Sequence, residues 1–120
     1  MKIQLFLVLI IVWCHFIADF LLQSDKMATN KSKSFKWLSI HAVAYGWVIT
    51  VIGMLTIGME RGFIFGMVNW LMHGAVDYWT SKGTAILWQK KEVHWFFCLV
   101  GFDQALHMTI LTVSAAYLIK

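Results

Sequence analysis

A chain of 120 residues that is 60% hydrophobic and only 13% charged falls short of the roughly 25% charged share of an ordinary soluble domain. Its mean hydropathy of +0.70 points the same way, so the bilayer is the expected solvent, and the length supports one domain, residues 1–120. The formal charge of +4 sits on lysines beside apolar runs, with no basic face of interleaved aromatics; this argues against nucleic acid and suits anionic lipid headgroups.

The first apolar run covers about residues 3–23. Only Lys2 precedes it and no A-x-A cleavage site follows, so a retained span is expected rather than a removed signal peptide. A polar loop, "SDKMATNKSKSF" (24–35), leads to a second run at 36–58. The tight turn "GMERG" then opens a third run at 62–81, whose Gly62 and Gly66 suit a close helix–helix contact. After "KGTAILWQKKE", a loop over 82–93 whose "TAILW" suits the interface, the fourth run covers 94–118. Each run is roughly 20 residues or slightly more, long enough to cross a bilayer. The expected fold is all-α: an integral membrane four-helix bundle with both termini on the same side.

Lys26, Lys31, Lys33 and Lys36 lie in or beside the first loop, and Lys82, Lys90 and Lys91 in the third, against only Lys2, Arg61 and Lys120 on the other side. The positive-inside rule therefore puts loops 24–35 and 82–93 in the cytoplasm and the termini outside, with Trp37, Trp79, Trp88 and Trp95 as an aromatic belt near the cytoplasmic interface. Cys14 and Cys98 fall within apolar runs and read as buried small hydrophobes.

The interior charges follow one pattern. The first helix carries His15 and Asp19, the third His73 and Asp77, the fourth Asp103 and His107, each pair four residues apart and so on one helical face. Chance predicts roughly 0.3 such pairs in this composition. The order reverses on the fourth helix, which runs the opposite way to the first and third. That reversal brings the three aspartates to one level and the three histidines one turn, about 6 Å, deeper. His41 enters from the second helix near the aspartate level. Polar ridges continue through Asn69 and Ser81 on helix three and Gln23 on helix one. His94, beside Glu92 at the interface, reads as a solvated residue.

An unpartnered aspartate within a span costs about 2.5–3.5 kcal/mol, so three of them require compensation by protons, water, histidines or a cation. His15, Asp19, His41, His73, Asp77, Asp103 and His107 are more N/O donors than one tetrahedral ion needs. A two-ion centre with open positions is expected, Zn first and Mn or Fe as alternatives.

The segments "HFIADFLLQSDKMATNK", "HGAVDYW" and "FDQALH", with His41 between them, resemble the family catalogued as domain of unknown function 3307, small multi-spanning membrane proteins of bacteria and their phages. The resemblance covers nearly the whole chain and implies His15, Asp19, Gln23, His41, His73, Asp77, Asp103, Gln104 and His107 as the family's polar positions, in a bacterial inner membrane. Many members carry a lysine three residues after the Asp-Tyr aspartate; this chain has Thr80 there and a lysine at Lys82. A looser similarity of ligand pattern links the chain to helical zinc phosphodiesterases of the phospholipase C type and to membrane-bound metal-dependent hydrolases.

The function expected from these features is a membrane-embedded hydrolase acting on a phosphoester, such as a phospholipid headgroup or a lipid-linked phosphate. Asp19, Asp77 and Asp103 supply ligands and the general base, and Gln23, Lys82 and Gln104 contact the substrate or support the ligands. Two other classes use the same residues: a proton or divalent-ion transporter or channel, which with four helices requires a homo-oligomer, and a metal-braced protein that binds another protein. The chain has no phosphate-cradling glycine loop, no dinucleotide fingerprint and no Ser–His–Asp arrangement.

Overall fold

The computed structural model describes residues 3–119, so Lys2 and Lys120 of the topology argument lie outside the described residues. Five α-helices follow one another: α1 (Leu5–Phe16), α2 (Asp25–Asn30), α3 (Phe35–Ile57), α4 (Met59–Gln89) and α5 (Val93–Leu118). A π-helical turn, Ile17–Leu21, continues α1, and no strand occurs among the described residues. The fold is all-α.

Local chemistry sets the boundaries. Ser24 caps α2 by accepting from the Met27 N–H at 3.3 Å, and Asp25 in the first turn suits the positive end of the helix. Between α3 and α4 stands the single residue Gly58, with φ +97°, a conformation that penalises any side chain. At the other hairpin Lys91 takes φ +58°, and only Lys90, Lys91 and Glu92 separate α4 from α5.

This last connection differs from the expected loop over 82–93. Helix α4 runs on through "TAILWQ", because Ala, Leu and Gln are strong helix formers and no proline interrupts them. A hydropathy window registers where apolar character fades, which here precedes the helix end by two turns. At about 1.5 Å per residue the 31 residues of α4 match the molecule's longest dimension of 46 Å.

Helices α3 and α4 pack at backbone contact. A Cβ on Gly62 would strike the main chain of Gly53 and Met54, and one on Gly66 would strike Thr50. The G-x-x-x-G spacing is thus used for close approach. Helix α5 packs on α4, and α1 closes the bundle against α3 and α5. At the end nearest Gly58 the interior is apolar, built from Ile11, Ile49, Phe65, Leu111 and Ala115.

The surface is inverted relative to a soluble protein. Leu55, Phe6, Trp79 and Trp47 are 71–78% exposed, whereas His41, His73 and Asp77 are 1% exposed. Helices α3 and α5 are each long and apolar enough to cross a membrane, and Leu5–Leu21 forms a shorter apolar helix. Cys98 departs from expectation: it is exposed on the outside of α5, while Cys14 is half-buried. Inside a span an outward-facing thiol is simply another weakly polar surface group.

Candidate metal centre

Four helices deliver the polar groups. In the π-helical turn the Leu22 N–H donates to the Ile17 carbonyl at 3.0 Å, a five-residue reach that places an extra residue in the turn holding Asp19. His15 and Asp19 still share one face, with Nε2 and Oδ2 3.6 Å apart. Helix α3 contributes His41 and Tyr45, α4 contributes His73, Asp77 and Thr80, and α5 contributes Asp103, Gln104 and His107. All seven sequence-predicted donors meet in one region: the His73 and His107 rings stack at 4.3 Å, and the His15 and His107 centroids lie 5.7 Å apart.

The tightest set is Asp19 Oδ1, His41 Nε2, His73 Nε2 and Asp77 Oδ2. His41 Nε2 stands 3.0 Å from His73 Nε2, 3.1 Å from Asp19 Oδ1 and 3.2 Å from Asp77 Oδ2. His73 Nε2 lies 3.6 Å from the same Asp19 oxygen and 3.5 Å from the same Asp77 oxygen. A tetrahedron whose centre is 2.0–2.1 Å from each corner has edges of about 3.3–3.4 Å, the spacing of donors around zinc. One imidazole N–H cannot serve three neighbours at once, and two facing imidazole nitrogens have at most one proton to share. The donor set therefore fits a cation.

A second set forms around His107. Its Nδ1 lies 3.3 Å from Asp103 Oδ2 and 3.9 Å from Asp19 Oδ2, and its Nε2 lies 3.6 Å from Asp77 Oδ1. Neither nitrogen makes a hydrogen bond. Asp19 and Asp77 each turn one oxygen to the first set and the other oxygen to the second. His107 thus joins two further candidate cation groups, one with His15 and Asp19 and one with Asp77 and Asp103, each sharing a carboxylate with the first set.

Neutral groups hold these charges in place. Gln104 Nε2 donates to Asp19 Oδ2 and Asp103 Oδ2, both at 3.0 Å, while its Oε1 accepts from His15 Nε2 at 2.7 Å. The Tyr45 hydroxyl donates to His15 Nδ1 at 3.2 Å, so both nitrogens of His15 are engaged and the ring acts in this arrangement as a support for Gln104. Thr80 Oγ1 donates to Asp103 Oδ1 at 2.5 Å. Lys31, from the segment after α2, reaches in to place Nζ 2.9 Å from Asp77 Oδ2. Three carboxylates against this one ammonium leave a formal charge of −2, which bound cations would offset.

Two of these participants, Tyr45 and Thr80, were not singled out by sequence, and Lys31 was marked only as one of the first-loop lysines that suit an anionic headgroup. Tyr45, stacked on His73 at 3.7 Å, lay four residues beyond His41 on the same face and was legible by the spacing rule used for the charges. Thr80 follows Asp77 by three residues. Lys31 had no local signal, since its approach depends on how α2 folds back. Lys82, expected at the mouth, donates instead to the Ser32 carbonyl at 3.0 Å and lies 4.5 Å from the Tyr78 ring centre, fastening the first loop to α4. His94 is exposed at the start of α5, near Cys98 and far from the cluster in sequence and face.

A cleft of about 210 Å³ reaches the cluster from the end bearing α2, lined by Asp19, Gln23, Lys31, Ser81, Asp103 and Gln104. Gln23 lies beyond the π-helical turn, at this opening. Its Oε1 and the Ser81 hydroxyl are buried without a hydrogen-bond partner.

The chain belongs to the family described as protein of unknown function (DUF3307), whose model matches residues 5–120. Nothing among curated proteins or solved structures matches it, so the likeness to metal-dependent hydrolases rests on ligand pattern alone.

Proposed function

We propose that this chain is a four-span protein of the bacterial inner membrane, and that the end of the bundle bearing α2 holds a divalent-metal centre hydrolysing a phosphoester. Leu5–Leu21, α3, the 62–81 part of α4 and α5 form the spans, and the lysine-rich connections put the cleft on the cytoplasmic side. The observation that carries the reading is that Asp19 and Asp77 each belong both to the first donor set and to a group around His107, so that ions held there would share carboxylates. Imidazole nitrogens with carboxylate oxygens suit Zn first, with Mn or Fe as alternatives.

Ions held by these histidines and aspartates would, when bound, supply Lewis acidity at the phosphoryl group and lower the pKa of a water. The protein's own groups do the rest. Asp103, on the cleft and fixed by Thr80 and Gln104, accepts the proton of the attacking water. Lys31 faces the same cleft and balances an incoming anion. His15, Tyr45 and Gln104 hold the carboxylates in register. Beyond the cluster, Ile11, Ile49, Phe65 and Leu111 close the interior, which argues against a conduit through one chain.

The closed first donor set also favours a second reading, in which an ion only braces the helices. Hydrolysis of phosphomonoester and phosphodiester lipids by purified protein separates the two. Activity removed by a chelator and restored by Zn supports the hydrolase. Metal-loaded protein that is inert on both ester classes, yet melts on chelation, overturns it in favour of the brace.

A further inference from the structure

The 210 Å³ cleft does not end at its mouth. It adjoins a larger groove of about 610 Å³ between the segment after α2 and the facing ends of α4 and α5, and Ala28, Lys31, Ser81, Thr84 and Phe96 line both. The groove is two-natured. Lys31, Lys33 and Thr84 give it a cationic, hydroxyl-bearing side, while Trp88, Phe96 and Phe97 give it an aromatic wall. Trp88 and Phe97 are about 60% exposed, left uncovered by the described residues.

Two orphaned atoms specify the chemistry that belongs here. Ser81 is 7% exposed, and its hydroxyl, at the junction of the cleft and the groove, has no hydrogen-bond partner. A buried hydroxyl without a partner is destabilising unless a ligand or water satisfies it, and a phosphate oxygen beside two lysines is the fitting acceptor. In the cleft itself, Gln23 Oε1 is a buried acceptor in want of a donor, which a headgroup hydroxyl provides. A soluble phosphate makes no use of the aromatic wall. An uncharged lipid makes none of the lysines.

We propose that this groove is a binding site for an anionic glycerophospholipid with a hydroxyl-bearing headgroup. Ser81 and Lys33 hold its phosphate with Lys31 and Thr84 beside it, Trp88, Phe96 and Phe97 flank its glycerol and the adjoining acyl carbons, and Gln23 receives the headgroup. The site rests on the metal-hydrolase reading above for its purpose, since it presents the phosphoester to the ions, but binding itself is measured independently of turnover. The lysine that matters at the mouth is then Lys33, because Lys82 is committed to Ser32 and Tyr78 and Lys31 to Asp77.

The test uses the full chain reconstituted with Zn in vesicles of equal phosphatidylglycerol and phosphatidylcholine, then extracted for native mass spectrometry, with metal measured on the same sample. Phosphatidylglycerol should be retained over phosphatidylcholine by about tenfold, and Lys33→Gln and Ser81→Ala should each lower that preference several-fold with helix content and metal unchanged. Equal retention of the two lipids, or a preference undiminished in the folded double variant, overturns the groove. Selective phosphatidylglycerol retention by protein that binds no metal supports the groove and overturns the metal-centre reading instead, so the two failures are distinguishable.

Discussion

The two ends of this bundle are held together by opposite means. Toward Gly58, α3 and α4 meet at backbone contact through Gly53, Gly62 and Gly66, over a core of Ile49, Phe65 and Leu111 in which complementary shape does the work. Toward α2, the same helices are separated by imidazoles and carboxylates whose charges and unpaired lone pairs leave them incomplete. Shape is satisfied within the chain; charge of this density calls for something the chain does not contain. The difference teaches where to look for function: in the end whose interactions do not close on themselves.

Substitutions at the two ends should therefore fail differently. Asp77→Asn replaces one carboxylate oxygen with an amide nitrogen and removes the negative charge that both donor sets share, and should lower hydrolysis by about 10³-fold, or about 4 kcal/mol of transition-state stabilisation, with metal lost and the helices intact. Hydrolysis with zinc analysis on one preparation measures this, and unchanged metal in both Asp77→Asn and His73→Ala would break the ligand assignment on α4. Gly66→Leu is the converse. It forces α3 from α4 at Thr50 and should cost about 3 kcal/mol of stability, read as lost thermal resistance in detergent, while the fraction that folds keeps its metal.

Smaller effects sharpen the same contrast. Gln104→Leu leaves Asp19 and Asp103 without the amide between them and should weaken metal affinity by about 10- to 100-fold, measured by competition with a chelator. Cys98→Ser, on the exposed side of α5, should change stability by no more than about 0.5 kcal/mol and leave metal content untouched. Thiol labelling of single cysteines placed at Lys90 and at Arg61 checks orientation; the account expects Lys90 on the cytoplasmic side and Arg61 on the opposite one.

Much of this was legible in the sequence because helical geometry is regular. Residues four apart share a face, so the pairs His15/Asp19, His73/Asp77 and Asp103/His107 gave the cluster, and reversal of the last pair gave its alignment. The G-x-x-x-G at Gly62 suited a close helix contact, and the structure supplies its partner, α3. What periodicity does not carry is the path of a connecting segment. Lys31 reaches Asp77 only because α2 folds back over the bundle end, and nothing local distinguishes it from Lys33 or Lys36. The end of α4 was missed for another reason: the sequence loses apolar character near Lys82, but helix propensity persists to Gln89. The π-helical turn at Asp19 left no mark in composition.

The central claim is that the charge-dense end of the bundle is completed by metal. It is tested most directly by elemental analysis of the protein purified without chelator, alongside His73→Ala and Asp77→Asn prepared identically. The account predicts two equivalents of a divalent metal, zinc first, in the unaltered chain, and loss of that metal in both variants while α-helical content is kept. Unaltered, folded protein that carries no metal and takes up none on incubation with Zn, Mn or Fe contradicts it.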